Sequence, residues 1–253
     1  MKLLRDFIHY VFLEWFKRKH KGTKIVSTYF TDLPSGFYSQ AGQDSFVYSE
    51  FFSAIESGRI PRVFLDVGCN HPTKFSNSYF FEKHLGFKVE AVDPLTTYVS
   101  HWAIERPNST LHSVALGAAS GQLQLSIPDR DWVMEDDSHP PDMFATLDAK
   151  NPRLSDGKWK TINVPVWRAQ SLLESKDINE IGIVSIDVEG FEMEVLRGID
   201  FSKTKIFIAL IENNTSSKFG AEDIRAHMAQ NGFLFYARIW GLDDVFIRSD
   251  LMC

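Results

Sequence analysis

Short apolar runs and helical stripes alternate along most of this chain. Val63-Phe64-Leu65 ends in Asp66, and Val89-Glu90-Ala91-Val92 ends in Asp93. Ile181-Gly182-Ile183-Val184-Ser185-Ile186 ends in Asp187, and the run 206–211 ends in Glu212. Runs this short and this continuously apolar predict strands buried on both faces of a parallel sheet. Between them lie helical signals. Phe46, Val47, Phe51, Phe52 and Ile55 form a stripe that stops at Ser57-Gly58, residues 191–197 form a short helix stopped by Gly198, and another helix is expected at 221–231. A third strand is predicted over 111–117, with a hairpin through Ala118-Ala119-Ser120-Gly121 that returns along 122–127, where Leu123, Leu125 and Ile127 alternate. The chain closes with a strand at 233–239, a turn at Gly241-Leu242-Asp243-Asp244 and a strand at 245–248, an antiparallel edge on a mostly parallel sheet. The alternation predicts an α/β fold of Rossmann-like type.

Two stretches break that rhythm. At the start, Leu3, Leu4, Phe7, Ile8, Val11, Phe12, Trp15 and Phe16 recur at spacings of three and four, and Lys17-Arg18-Lys19-His20-Lys21 follows them. The pattern predicts an amphipathic helix and linker over 1–36, ahead of a main domain over 37–253. Such a helix suits either an anionic membrane interface, contacted through residues 1–21, or a protein surface, including a second copy in a homodimer. Asp6, His9 and Glu14 interrupt the apolar run and no small-residue cleavage site follows, so neither a membrane span nor a signal peptide is expected. The second break is at about 128–160, which loses periodicity and collects Pro128, Pro140, Pro141, Pro152 and Gly157 beside Trp132, Trp159, Asp136, Asp137 and His139. An aromatic-bearing loop of that length predicts a lid-like insertion that touches substrate.

Composition narrows the partners. The 253 residues are 44% hydrophobic, enough for one enzyme-sized domain with an appendage. The net charge of −6 argues against a general nucleic-acid binder. That figure hides an asymmetry, since residues 1–24 carry a balance of +5 and leave −11 for the remainder. The two cysteines, Cys69 and Cys253, make no disulfide framework and fit a cytoplasmic protein, at the inner face of the membrane if the first helix binds there.

The turn after the first strand carries the cofactor argument. Asp66-Val67-Gly68-Cys69-Asn70 places Asn70 where a dinucleotide site wants its second glycine, which counts against a pyrophosphate and against a nicotinamide-dependent oxidoreductase. An acid two residues before Gly68 suits a ligand with an ammonium and a sulfonium, as in S-adenosylmethionine. Asp93, 27 positions on at the tip of the second strand, suits the ribose hydroxyls of either cofactor.

Asp66, Asp93, Asp187 and Glu212 then form a row of acids at the carboxyl edge of the sheet, where open α/β folds bind ligands. Transfer of a methyl group to a hydroxyl calls for a general base or a metal. The candidate bases are Asp187, Glu189, His71 and Glu212: Asp187 is favoured, with Glu189 turned toward the acceptor, and His71 has an ordinary titration range that fits the task. Asp187 and Glu212 are the pair that would hold a divalent cation such as magnesium.

Five strings resemble the FkbM-type methyltransferases: Ser39-Gln40-Ala41-Gly42-Gln43-Asp44, Phe64-Leu65-Asp66-Val67-Gly68-Cys69-Asn70, Ser76-Asn77-Ser78, Val114-Ala115-Leu116-Gly117, and Ser185-Ile186-Asp187-Val188-Glu189-Gly190-Phe191-Glu192 through Val195-Leu196-Arg197-Gly198. The resemblance implies a class I, S-adenosylmethionine-dependent methyltransferase fold with seven strands in the order 3-2-1-4-5-7-6. It implies that Gln43, Asp66, Gly68, Asn70, Asn77, Ser78, Asp93, Leu116 and Asp187 surround the cofactor, and that the acceptor is a hydroxyl of a sugar, glycan, glycolipid precursor or other small molecule. His71-Pro72 and Trp167-Arg168-Ala169 depart from the family pattern, the first beside the methionine pocket. The other readings are the oxidoreductase, a metal-dependent glycosyltransferase using Asp136-Asp137, and a membrane-bound scaffold that has lost catalysis.

Overall fold

The computed structural model of the chain describes residues 23–26, 36–129, 140–155, 157–213 and 222–252. The helical stripe at 1–21, the pair Asp136-Asp137, Trp132, His139 and Ala221 lie outside the described residues. The apolar runs become the centre of one sheet. Strands β2 (Val63–Val67), β3 (Lys88–Val92) and β4 (Thr110–His112) lie to one side of β8 (Glu180–Ile186), and β9 (Lys205–Glu212) lies to the other, all parallel. Beyond β9 the last strand β11 (Asp243–Arg248) runs antiparallel and pairs in turn with β10 (Phe233–Ile239). The sheet order β4-β3-β2-β8-β9-β11-β10 is the expected 3-2-1-4-5-7-6 arrangement. An eighth strand, β1 (Lys24–Val26), adds to β10 in parallel, inside the stretch read as helix and linker.

Every residue of β9 after its first is buried, which explains the unbroken apolar run: helices cover both faces. On one face, α1 (Gln43–Glu56), α2 (Tyr79–Leu85) and α3 (Val99–Glu105) supply Val47, Ile55, Phe81 and Trp102 to a core with Phe64 and Ile208. On the other, α4 (Ala169–Ser175), α5 (Glu192–Gly198) and α6 (Glu222–Gln230) supply Leu172, Val195 and Met228 to a core with Leu65, Val184 and Ile211. Among the described residues, no helix is long and apolar enough to cross a membrane.

Two local expectations are corrected. The strand predicted over 111–117 breaks in two: β4 stays in the main sheet, while β5 (Ala115–Gly117) joins β6 (Gly121–Pro128) and β7 (Trp159–Arg168) in a separate three-stranded sheet. The cause is a tight turn at Ser113, where the Val114 amide bonds the His112 carbonyl at 2.9 Å and redirects the chain. Asp243 and Asp244, read as turn residues, are the buried start of β11. There Asp244 accepts hydrogen bonds from Arg225 Nε at 2.8 Å, Arg238 Nη1 at 2.5 Å and Asn213 Nδ2 at 2.8 Å. A buried carboxylate with that many charged donors is satisfied, and it locks the sheet's far edge.

Arg106 does the same for the loop that leads into α2. Its guanidinium is fully buried over Trp102, 4.4 Å from the ring centroid. It pairs with Glu82 and donates through Nη1 to the Pro72 carbonyl at 3.1 Å and to Ser78 Oγ at 3.0 Å. That loop passes directly behind the carboxyl edge of β2.

Candidate functional site

Two cavities open at the carboxyl edge of β2, β3, β8 and β9. The first, about 550 Å³, is lined by Asp93, Leu95, Leu116, Leu125, Leu147 and Phe191 among others. The second, about 640 Å³, is lined by Gln40, Gln43, Lys74, Asn77, Phe144 and Glu212 among others. Gly68, Asn70, Met143, Asp187 and Glu189 border both.

The first cavity is a mostly apolar slot with one acidic rim. Asp93 follows β3 directly, and its carboxylate accepts from the Asn70 amide at 3.0 Å and the Leu95 amide at 2.8 Å. Burial nonetheless pushes its pKa up to about 6, with Asp142 and Asp66 adding to the rise. The turn across from it is pinned in place: Trp102 Nε1 donates to the Asn70 carbonyl at 2.8 Å, and Asn70 takes a left-handed φ of 43°. Among the described residues no lysine or arginine lines this slot, so nothing there answers a pyrophosphate.

The second cavity is acidic and amide-rich. One carboxylate oxygen each from Asp187, Glu189 and Glu212 lie within 4.8 Å of one another. Burial and the neighbouring carboxylates raise both Asp187 and Glu212 well above the ordinary range. Glu192 stands close by with its carboxylate capped by the Gly190 amide at 2.9 Å and the Val188 amide at 3.1 Å. The turn that presents Asp187 and Glu189 is held open from outside. Glu189 adopts a left-handed φ of 56°, and its carbonyl accepts from Thr146 Oγ1 at 2.7 Å and Asn151 Nδ2 at 3.0 Å, both from the predicted insertion.

The loop at 39–44 closes the second cavity through an internal brace. Asp44 is buried and accepts from the Tyr38 amide at 2.6 Å and Ser39 Oγ at 2.5 Å. The braced loop carries Gln43 to the cavity wall, where its Nε2 donates to Asp243 at 2.8 Å. Asn77 reaches the same wall, donating through Nδ2 to Ser185 Oγ at 2.9 Å.

With this geometry in place, the comparison with known families is decisive. A model described as the methyltransferase FkbM domain matches residues 66–235, well over half of the chain. The chain belongs to the FkbM methyltransferase family. Neither the comparison with curated proteins nor that with solved structures returned a match. The matched span of this FkbM domain runs from the end of β2 into β10 and so includes Gly68, Asp93, Asp187, Glu189 and Glu212.

Not every residue singled out in the sequence reaches a cavity. Asp66 and Ser78 line neither of the two: Ser78 Oγ donates to Asp66 at 2.5 Å, and Arg106 donates to the same hydroxyl. Asp66 shares the α2-facing side of β2 with Phe64, so its carboxylate is buried behind the sheet edge and braces the loop. His71 also lines neither cavity. Its Nδ1 accepts from the Lys74 amide at 3.0 Å and the Thr73 amide at 3.2 Å, which makes it the cap of a tight turn rather than a base facing an acceptor. Gln43, Gly68, Asn70, Asn77, Asp93, Leu116, Asp187, Glu189 and Glu212 do line one cavity or both. Asp142 and Met143 also line the cavity walls without a sequence signal, and Asp243, which lines neither cavity, holds Gln43 at the wall. The first two sit in a four-residue 3₁₀ turn after Pro140 with no periodic signal around it, and Asp243 was hidden by the Gly241 turn.

Proposed function

We propose that this FkbM domain is an S-adenosylmethionine-dependent O-methyltransferase whose acceptor is a hydroxyl of a sugar-like molecule. The observation that carries the reading is the adjacency of two unlike cavities that share Asp187 and Glu189 at their border. The slot beside Asp93 suits a nucleoside, with the base among Leu116, Leu125 and Leu147 and the ribose at the acid. A sulfonium at the border then meets carboxylates, whose negative potential favours a cation. The second cavity suits a polyhydroxylated acceptor, because the amides of Gln40, Gln43 and Asn77 and the carboxylates offer many hydrogen-bond partners beside the flat rings of Phe75 and Phe144.

Methyl transfer is an in-line displacement. The acceptor oxygen attacks the methyl carbon as the carbon–sulfur bond breaks, and the donor leaves as a neutral thioether. The protein's task is to align the acceptor on that axis and take its proton. Asp187 is assigned as the base. It follows β8 directly at the shared border, and its raised pKa brings a carboxylate closer to the range in which it accepts a hydroxyl proton efficiently. Glu189 faces the acceptor side. In this reading the crowded acids Asp187, Glu189 and Glu212 share protons. A hard divalent cation such as magnesium is the other charge that suits Asp187 and Glu212, and chelator sensitivity of turnover separates the two.

Calorimetry with S-adenosylhomocysteine tests the donor. Binding of that ligand and none of NADH is the expected result, and binding of NADH alone would reject the reading. Labelled methyl donor offered to sugar nucleotides and glycolipid precursors then identifies the acceptor.

A further inference from the structure

Asp142 comes from the insertion, not from a strand end, yet it lines the nucleoside slot together with Asp93. The Thr97 hydroxyl and the Asn70 side chain hold its carboxylate in place. Its Oδ1 is nevertheless buried with no hydrogen-bond donor among the described residues. An acceptor of that kind is costly unless a donor reaches it. The donor does not come from Asp93, itself an acid. Asp93 is in turn already engaged by two backbone amides, one on each oxygen.

Two carboxylates lining one slot repel anions and call for a neutral ligand rich in donors. A vicinal diol meets that demand, since its two hydroxyls rotate independently and each donates one hydrogen bond. The apolar stretch of Leu95, Ala145 and Leu147 adjoins Asp142 and leaves room for the base beyond. We propose that Asp142 is a second ribose-binding acid, gripping the diol of the methyl donor's nucleoside from the insertion side while Asp93 grips it from the sheet. This rests on the donor reading above. The proximity of the two acids accords with it, because the Asp142 carboxylate is among the causes that push Asp93 up.

The consequence is that the insertion takes part in donor binding as well as covering the acceptor. Titration calorimetry on the full chain tests this with S-adenosylhomocysteine and its 2′,3′-dideoxy analogue. Asp142→Ala is expected to weaken S-adenosylhomocysteine about tenfold or more, the usual consequence of losing a hydrogen bond to a charged group. The dideoxy analogue has no diol to lose, so the same substitution should change its affinity less than twofold. Asp142→Asn, which keeps the shape and the Thr97 contact, should fall between wild type and the alanine variant. Equal affinity of wild type and both variants for S-adenosylhomocysteine overturns the assignment, and so does an equal loss for both ligands. Failure of the wild-type protein to bind either ligand rejects the donor reading itself, an outcome distinct from the other two.

Discussion

A β-carbon on Gly68 would stand 1.7 Å from the carbonyl oxygen of Asp187. The turn after β2 and the Asp187 turn after β8 therefore touch backbone to backbone, with Gly68 at a φ of 82° that side chains rarely adopt. The Asp187 amide bonds the Val67 carbonyl at 3.0 Å and fixes the contact. Gly68→Ala must push the two turns apart or strain both. The expected cost is about 2–4 kcal/mol, from the left-handed backbone and the overpacking together. Urea unfolding checks the loss of stability, and calorimetry with S-adenosylhomocysteine should reveal a weakened donor site even where the variant stays folded at low temperature.

Asp187→Asn removes the proposed proton acceptor while keeping its volume and position. Turnover should fall by about 10²–10⁴, the range for losing a general base, with donor affinity changed by less than a few-fold. Burial and the charges of Glu189 and Asp243 raise the Asp187 pKa, so the ionised, proton-accepting form grows as pH rises. The rate of the wild-type protein should accordingly climb with pH before levelling, and the residual rate of the variant should lack that limb. Unchanged turnover in the variant would reject the assignment.

The carboxyl edge was legible in the sequence because its central strands are mostly apolar and their runs close on acids, so Asp93, Asp187 and Glu212 mark the sheet edge. An acid inside such a strand needs partners, as Glu90 in β3 shows by pairing with Lys88 and His112. Asp66 lies away from both cavities for a related reason. It is inside β2, where the pleat decides its side, and Phe64 two residues earlier already commits that side to α2. His71 was drawn toward catalysis by its ordinary pKa, which says nothing of where the ring points. Asp142 lies in proline-rich, aperiodic chain, and only its packing over Asn70 and Thr97 reveals a role. The split of the third strand also lay beyond pattern reading, since Leu111 and the run Val114-Ala115-Leu116 are separated by only two polar residues, a gap that a single strand also tolerates.

Asp93 gives donor binding a defined pH dependence. Its pKa is pushed from 3.8 up to about 6 in the free protein. Ribose hydroxyls donate best to the ionised carboxylate, so affinity for S-adenosylhomocysteine should be level above pH 6 and fall about tenfold per unit below it. The linkage to stability has the opposite sense. A carboxyl with a raised folded pKa holds its proton more tightly when folded, so its stabilising contribution is present below pH 3.8 and lost as pH rises through about 6. Calorimetry across pH 5 to 8 should therefore find affinity rising where the free protein's stability from this group declines, and Asp93→Asn should flatten both profiles.

Thr146 offers a test of the link between the insertion and the catalytic turn. It is 1% exposed, and its hydroxyl is one of two side-chain donors to the carbonyl of Glu189. Thr146→Val keeps the shape and removes that donor, weakening the hold on a turn whose φ of 56° at Glu189 is unfavourable for glutamate. A loss of about 1 kcal/mol in stability is expected. The more telling readout is kinetic: kcat should drop roughly tenfold through misplacement of Asp187 and Glu189, with KM for the donor little changed. Equal losses in kcat and donor affinity would instead point to general loosening of the site.

The charge asymmetry of the chain bears on where the enzyme meets its acceptor. We propose that residues 1–21 bring it to an anionic membrane surface, since that segment joins an apolar aromatic stripe to the cluster Lys17-Arg18-Lys19-His20-Lys21, whereas the rest of the chain carries a balance of −10. Each lysine or arginine near such a surface contributes about 1 kcal/mol, while the acidic remainder is repelled. Flotation of the full chain should succeed with vesicles containing phosphatidylserine, fail with purely zwitterionic ones, and weaken as salt is raised, because exposed charges are screened over about 8 Å at physiological ionic strength. A chain beginning at Gly22 keeps β1 and the sheet intact, so it should stay at the bottom of the gradient while binding S-adenosylhomocysteine normally. Equal flotation of the two chains would remove the membrane from the picture and leave the apolar stripe to a protein partner.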